Sequence, residues 1–323
     1  GSITEIQSLL DRHADIHAPN KLDDTPLHIA AEEGHLQCIE LLLDRQADIQ
    51  ALGGNDESPL HYASRCGHHQ CVALLLDRQA DVNAPCMRGY ASLHFAAEEG
   101  HHQCVALLLD RQADVNASSM LGYASLHYAS AGGHRQCIEL LLDRHADINA
   151  IDSIDGRSPL HDAMRSGDRQ CVALLLDRQA DADALDKNGK SPLHRASTKG
   201  HHQCVELLLD RHANVNARDV CNEAPLHRAS SNGHHQCIEL LIDHGADKYL
   251  TDVRHCVPSL SLALATSISC LHLTRKCLSL SLSIVLISIY QPSGAQQDTG
   301  AARQEARDCS IDSRSRCVPL SLM

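Results

Sequence analysis

Apolar residues recur along this chain at helical spacing, inside a unit that returns every 33 or 34 residues. In residues 69–78, Cys71, Val72, Leu75 and Leu76 share one face while Asp77, Arg78 and Gln79 mark an exit, which predicts a helix. The preceding residues 59–66 start with Pro59, whose restricted φ and missing N–H suit a first helical position, and stop at Gly67. They predict a shorter helix. Residues 80–89 are rich in turn formers and alternate in polarity, as expected of a hairpin-like connection. One such unit cannot bury its own apolar face, but stacked neighbours can.

The most constant part of the unit is Thr25-Pro26-Leu27-His28. It returns as Ser58-Pro59-Leu60-His61, Ala91-Ser92-Leu93-His94, Ala124-Ser125-Leu126-His127, Ser158-Pro159-Leu160-His161, Ser191-Pro192-Leu193-His194 and Ala224-Pro225-Leu226-His227. An alanine follows two places after each histidine: Ala30, Ala63, Ala96, Ala129, Ala163, Ala196 and Ala229. A glycine, a Cys-Val or Cys-Ile step and a leucine run then complete each copy. This pattern, at this period, resembles the ankyrin-repeat family over residues 1 to about 250. The resemblance implies an all-α solenoid of stacked helix pairs with β-hairpin-like fingers.

The copies divide the chain. Residues 1–21 align with the second half of a copy and are expected to be a truncated repeat, as in a fragment of a longer protein; residues 22–250 hold seven full repeats. The spacing of 34 falls between the fourth and fifth copies, so one extra residue is expected in the connection near Ile151 to Asp155. The pattern stops after Leu250. Residues 251–323 are of low complexity, alternating Leu or Ile with Ser up to about residue 290, and are expected to form a disordered tail. Local strands, a helix lying on the array or membrane contact remain open there. Arg275-Lys276 splits the apolar stretch into pieces shorter than the ~20 residues of a bilayer-spanning helix, which argues against the membrane.

Charge and composition narrow the class. The net charge of −13 resides in the array, so nucleic acid is a poor partner. With no Trp and a single Phe, the core is expected to be built of Leu, Ala, Val and Ile. Of the 15 cysteines, Cys38, Cys71, Cys104, Cys137, Cys171, Cys204 and Cys237 occupy one point of the second helix. Packed helices lie ~8–10 Å apart, and a disulfide needs Cα atoms within ~7 Å, so these in-register thiols are expected to stay reduced and buried. That suits cytosol or nucleus.

His68-His69-Gln70-Cys71 and its repeats look like a metal motif, but zinc needs four ligands converging on one point. The resemblance instead gives the first histidine, like the histidine of each Leu-His pair, a structural role in bridging backbone groups. No metal or cofactor is expected. No catalysis is expected either, because His, Asp and Cys recur by repeat symmetry without a unique triad. The place before each Ala-Asp, or Ala213-Asn214, carries His13, Gln46, Gln79, Gln112, His145, Gln179 or His212, where a helix-ending glycine is the family rule; only Gly245 obeys it. Left-handed backbone at a non-glycine residue costs on the order of 1 kcal/mol.

Function is sought in what varies. Family members bind partners through finger tips and exposed first-helix positions, which line a concave face. Just after each Leu-His, this chain carries Ile29, Tyr62, Phe95, Tyr128, Asp162, Arg195 and Arg228. The fingers of the third and fourth copies add Met87, Tyr90, Met120, Leu121 and Tyr123. Tyr62, Met87, Tyr90, Phe95, Met120, Leu121, Tyr123 and Tyr128 are therefore expected to form an apolar anchor site, with finger-tip side chains clear of the core. Packing of Tyr62, Phe95 and Tyr128 between first helices is the competing explanation of those three. Arg195 and Arg228 are expected to meet an acidic part of the partner. The chain thus reads as a non-catalytic, monomeric scaffold for a protein partner. The substrate-receiving part of a larger ligase or kinase, or a membrane-associated adaptor, stays open as an alternative.

Overall fold

The computed structural model describes residues 3–252, and the expected tail, apart from its first two residues, lies outside them. Helix α1 (Ile3–Asp11) is followed by seven helix pairs: α2 (Pro26–Glu32) with α3 (Leu36–Asp44), α4 (Pro59–Arg65) with α5 (His69–Asp77), and α6 (Ser92–Glu98) with α7 (His102–Asp110). Then come α8 (Ser125–Gly132) with α9 (Arg135–Asp143), α10 (Pro159–Ser166) with α11 (Arg169–Asp177), α12 (Pro192–Lys199) with α13 (His202–Asp210), and α14 (Pro225–Ser231) with α15 (His235–Asp243). First helices pack on neighbouring first helices, and second on second. Contacts are therefore between nearest neighbours, the arrangement of a solenoid.

Each helix is too short to stand alone in water, so burial holds it. Leu60, Ala63, Cys71, Val72 and Leu75 and their counterparts in the other full copies are sealed from solvent. The seven in-register cysteines are all buried free thiols, as expected. Burial pushes Cys104 and Cys137 up to about 12 and Cys71 up to about 11. In contrast, α1 contains no buried residue. An apolar depression of about 540 Å³, lined in part by Ile6, Leu9, Pro26 and Ile29, separates it from α2.

In the first six full copies the histidine of the Leu-His pair ties its helix start to the next finger, whereas the buried Nε2 of His227 in the seventh has no hydrogen-bond partner among the described residues. In the first full copy Nδ1 of His28 accepts the Thr25 N–H, which leaves Nε2 protonated to donate to the Glu57 carbonyl at 3.0 Å. His161 and His194 reach Lys190 and Glu223 in the same way. Burial is the main influence on these rings and drives His61 and His161 down to about 4. The second histidine position also bridges backbone, since Nε2 of His68 bonds the Glu32 carbonyl and that of His101 the Arg65 carbonyl.

A glycine before that position is obligatory for two reasons. Gly67 has a φ of +76°, and a Cβ there would lie 2.5 Å from the ring of His101 in the next copy. Gly34, Gly100, Gly167 and Gly200 meet His68, His134, His201 and His234 alike. At the end of the second helices the left-handed conformation is also real: His13, Gln46, Gln79, Gln112, His145, Gln179 and His212 all have φ between 63° and 70°. The array carries this strain in every copy but the last.

The fingers are tight turns rather than strands. In a typical one the Cys86 N–H donates to Tyr90 O and the Gly89 N–H to Cys86 O. Among the described residues pairing of β type is confined to an isolated bridge between Ser118 and Ala124. The extra residue lies where expected, in the finger before Ser158: Asp152 pairs with Arg157, whereas the regular fingers pair residues four apart, as in Asp186 with Lys190. On the second helices an ion-pair ladder joins copies, with Arg45, Arg78, Arg111, Arg144, Arg178 and Arg211 each bonded to the aspartate ending the preceding second helix.

Candidate interaction face

First helices and fingers together make one face, and the residues after the Leu-His pairs run along it as a column. Ile29 is exposed at its start. In copies two to four the column carries Tyr62, Phe95 and Tyr128, and the competing explanation applies: Tyr62 is 9% and Phe95 8% exposed, and Tyr128 is half-buried. The Tyr62 hydroxyl donates to Asp24 Oδ1 at 2.6 Å. Phe95 meets His61 edge-on at 5.6 Å, with the Arg65 guanidinium 4.2 Å from its ring centre and that arginine paired with Glu57.

Tyr90 corrects the expectation that finger-tip side chains stand clear of the core. It is 8% exposed and joins Cys86 and Phe95 in a buried cluster against which Tyr128 packs. Its ring lies 5.3 Å from Phe95 and 5.2 Å from Tyr128, and the Tyr128 hydroxyl donates to the Tyr90 hydroxyl at 2.6 Å. Tyr123, half-buried, stacks 5.6 Å from Tyr128. The physical reason is that a finger residue just before the next first helix turns back under the finger. Its aromatic ring fills the space between copies. Burial raises all four tyrosine hydroxyls, Tyr123 up to about 12.

Arg195 and Arg228 are not free to steer a partner, which corrects the second expectation. Each folds onto its own finger: Arg195 donates to Asp186 Oδ2 and Arg228 to Asp219 Oδ2, both at 2.6 Å, and Arg228 also pairs with Glu223 at 2.8 Å. The two aspartate side chains are fully buried. Burial disfavours the charge of Asp186, but the Lys190 N–H and the Arg195 guanidinium outweigh it and hold the carboxyl below the ordinary range.

Met87, Met120 and Leu121 are exposed, at 58%, 75% and 48%. Their fingers are strung together by backbone bonds: the Met87 N–H donates to Asn55 O, Met120 N–H to Arg88 O, and Ser153 N–H to Leu121 O. The string continues through Lys187 to Asp155 and Val220 to Asn188. Sequence reasoning missed that the apolar tips continue with it, because Leu52, Ile151, Ile154, Leu185 and Val220 are also exposed. The signal was available in the register, since Val220 occupies the finger place of Met87, Leu52, Ile151 and Leu185 the place two before it, and Ile154 lies beside it in the long finger. Tyr249, exposed at the far end, was missed too.

Among the described residues no three His, Cys, Asp or Glu side chains converge as a metal ion would require, and no helix is long and apolar enough to cross a membrane.

The sequence matches the family described as ankyrin repeats (3 copies) over residues 1–86, 84–152, 126–219 and 160–252. The comparison with curated proteins returns no match. Among solved structures, the human ASB11 ankyrin repeat domain shares 27% identity at a TM-score of 0.63, covering 69% of this chain and 99% of that one. The ankyrin repeat domain of Bcl-3, a unique member of the IkappaB protein family, shares 31% identity at a TM-score of 0.58, covering 68% of this chain and 98% of that one.

Proposed function

Because the chain belongs to the ankyrin-repeat family, whose domains are in general non-catalytic protein–protein interaction modules, we propose that residues 22–250 are a scaffold holding a protein partner on the face of fingers and first helices. The observation that carries this reading is the row of exposed apolar tips, Met87, Met120, Leu121 and Ile154, on backbones bonded finger to finger. Exposed apolar side chains in a contiguous row are the usual mark of a protein-binding surface. Methionine adapts its shape to a partner at little cost. The rings of Tyr90, Phe95, Tyr123 and Tyr128 stiffen the fingers beneath, so less freedom is lost on binding. The seven in-register thiols are free and buried, which suits cytosol or nucleus, whereas Cys221 in the finger before α14 is disulfide-bonded.

Affinity capture and crosslinking with the full chain test the reading. Met87→Ser combined with Met120→Ser and Leu121→Ser is expected to cost about 2 kcal/mol or more of binding, roughly a thirtyfold loss. The same variant is expected to change folding stability by about 0.5 kcal/mol or less, since the tips are exposed. Undiminished capture by a variant of unchanged stability would move the binding surface elsewhere.

A further inference from the structure

In four copies the column residue closes onto a finger. Tyr62 and Tyr128 donate to Asp24 and Tyr90 in the preceding finger, and Arg195 and Arg228 to Asp186 and Asp219 in their own. In the fifth copy the residue is Asp162, on α10, and the pattern fails. Its Oδ2 is buried without a hydrogen-bond partner. Its own finger offers it no donor side chain at the equivalent place, because that place holds another carboxylate, Asp152. Both oxygens of Asp152 are already taken by the N–H groups of Ile154, Asp155 and Arg157.

The surrounding cations are turned elsewhere. Arg157 pairs with Asp155 and Arg195 with Asp186, each at 2.6 Å, and both keep a buried Nε with no acceptor. Arg165, three residues along α10, is exposed. Burial dominates at Asp162 and pushes it up to about 7, against the opposing pull of Arg157, Arg195 and Arg165. On the aromatic side stands Tyr123, half-buried, in the finger place that Tyr90 holds one copy earlier, so Asp162 takes towards Tyr123 the place from which Tyr128 bonds Tyr90. Burial first and the charge of Asp162 next raise the Tyr123 hydroxyl. Asp162 is itself only half-buried, so it keeps surface on the face described above.

A desolvated carboxylate without a donor costs free energy that a charge-assisted hydrogen bond repays, and an aromatic ring alongside attracts a cation to its face. We propose that Asp162 and Tyr123 form a binding point for a basic side chain, an arginine or lysine presented by the partner, at the junction of the aromatic and arginine halves. The proposal rests on the interaction-face reading for the source of the cation and deepens it. It gives the partner a positive residue placed beyond its apolar anchors.

The full chain titrated with n-butylguanidinium and followed by NMR tests this without any partner protein, so its failure leaves the scaffold reading intact. Saturable shifts confined to the Asp162 carboxyl and the Tyr123 ring are expected. The neutral isostere n-butylurea is expected to produce none at the same concentrations. Asp162→Asn is expected to weaken n-butylguanidinium at least tenfold, and Tyr123→Leu several-fold. Absence of saturable shifts, equal response to the urea, or full binding by a folded Asp162→Asn would each overturn the proposal. The urea comparison needs no variant and decides even if Asp162→Asn fails to fold.

Discussion

Copies two to four and copies six and seven solve one problem with different chemistry. In both, the column residue must hold a finger against its neighbours. The first set does so with stacked rings, Tyr90 on Phe95 and on Tyr128, the Tyr128 hydroxyl donating to that of Tyr90. The second uses a guanidinium closed on a buried aspartate, Arg195 on Asp186 and Arg228 on Asp219. Dispersion and apolar burial are insensitive to salt and to moderate pH, whereas an ion pair needs both charges in place. One fold thus contains two finger sets that respond to different solution conditions, while their tips stay free for contact.

Acidification has the largest expected effect and acts on both sets, because both rely on the Leu-His histidines. Burial lowers His61, in the aromatic half, and His161, beside the arginine half, to about 4. Each native ring resists a proton that the unfolded chain takes up near pH 6.5, so the contribution is complete above that value and is lost between there and about 4. Each unit of difference is worth about 1.4 kcal/mol per histidine. Chemical denaturation that gave the same stability at pH 7 and at pH 4.5 would show that these rings are not buried neutral groups. Asp186, held below its ordinary value of 3.8, keeps its contribution throughout this window and loses it only at lower pH, so the arginine half adds no transition of its own above about 4.

Next in size, Phe95→Ala is expected to cost about 3–5 kcal/mol, as for other large-to-small changes in a packed core. Tyr90→Ala belongs with it, because it also leaves the Tyr128 hydroxyl without its acceptor. Hydrogen exchange should localise the loss to copies two to four. Unchanged melting of Tyr90→Ala would return that residue to the list of surface anchors.

That Tyr90 is core was not legible in the sequence. The period, the helix boundaries, the buried cysteines, the left-handed Gln and His residues and the long finger all follow from local pattern, since each is set within one copy. The partners of Tyr62 and Tyr128 lie 38 residues away, across a copy boundary, and a finger residue next to exposed Met87 gives no local sign of turning inward. The arginine pairs were more accessible. Asp186 and Arg195 stand nine apart, and Asp219 and Arg228 repeat the spacing. The fifth copy, with Asp152 and Asp162, breaks it.

The smallest effect separates the halves most directly. Arg195→Gln or Arg228→Gln is expected to cost about 3 kcal/mol at most, because a buried carboxylate loses one partner while keeping backbone donors. The loss in chemical denaturation should shrink with added salt at neutral pH, since the pair is partly reached by solvent on its arginine side. Phe95→Ala should show no such dependence.

The glycine that meets the next copy's histidine bears on how such a chain lengthens. At five junctions one copy brings a socket and the next a plug, as Gly67 for His101 and Gly167 for His201, so units are interchangeable cassettes wherever both are kept. The junction of the fourth and fifth copies is the odd one, since Gly133 faces Ser166 and Asp168 there and its neighbours stand farther off, at 3.3 to 3.5 Å. A cassette moved across that seam arrives with a plug for which the local partner was not cut. Duplication and exchange of units are therefore expected to proceed within copies one to four or within five to seven, and to stall between them.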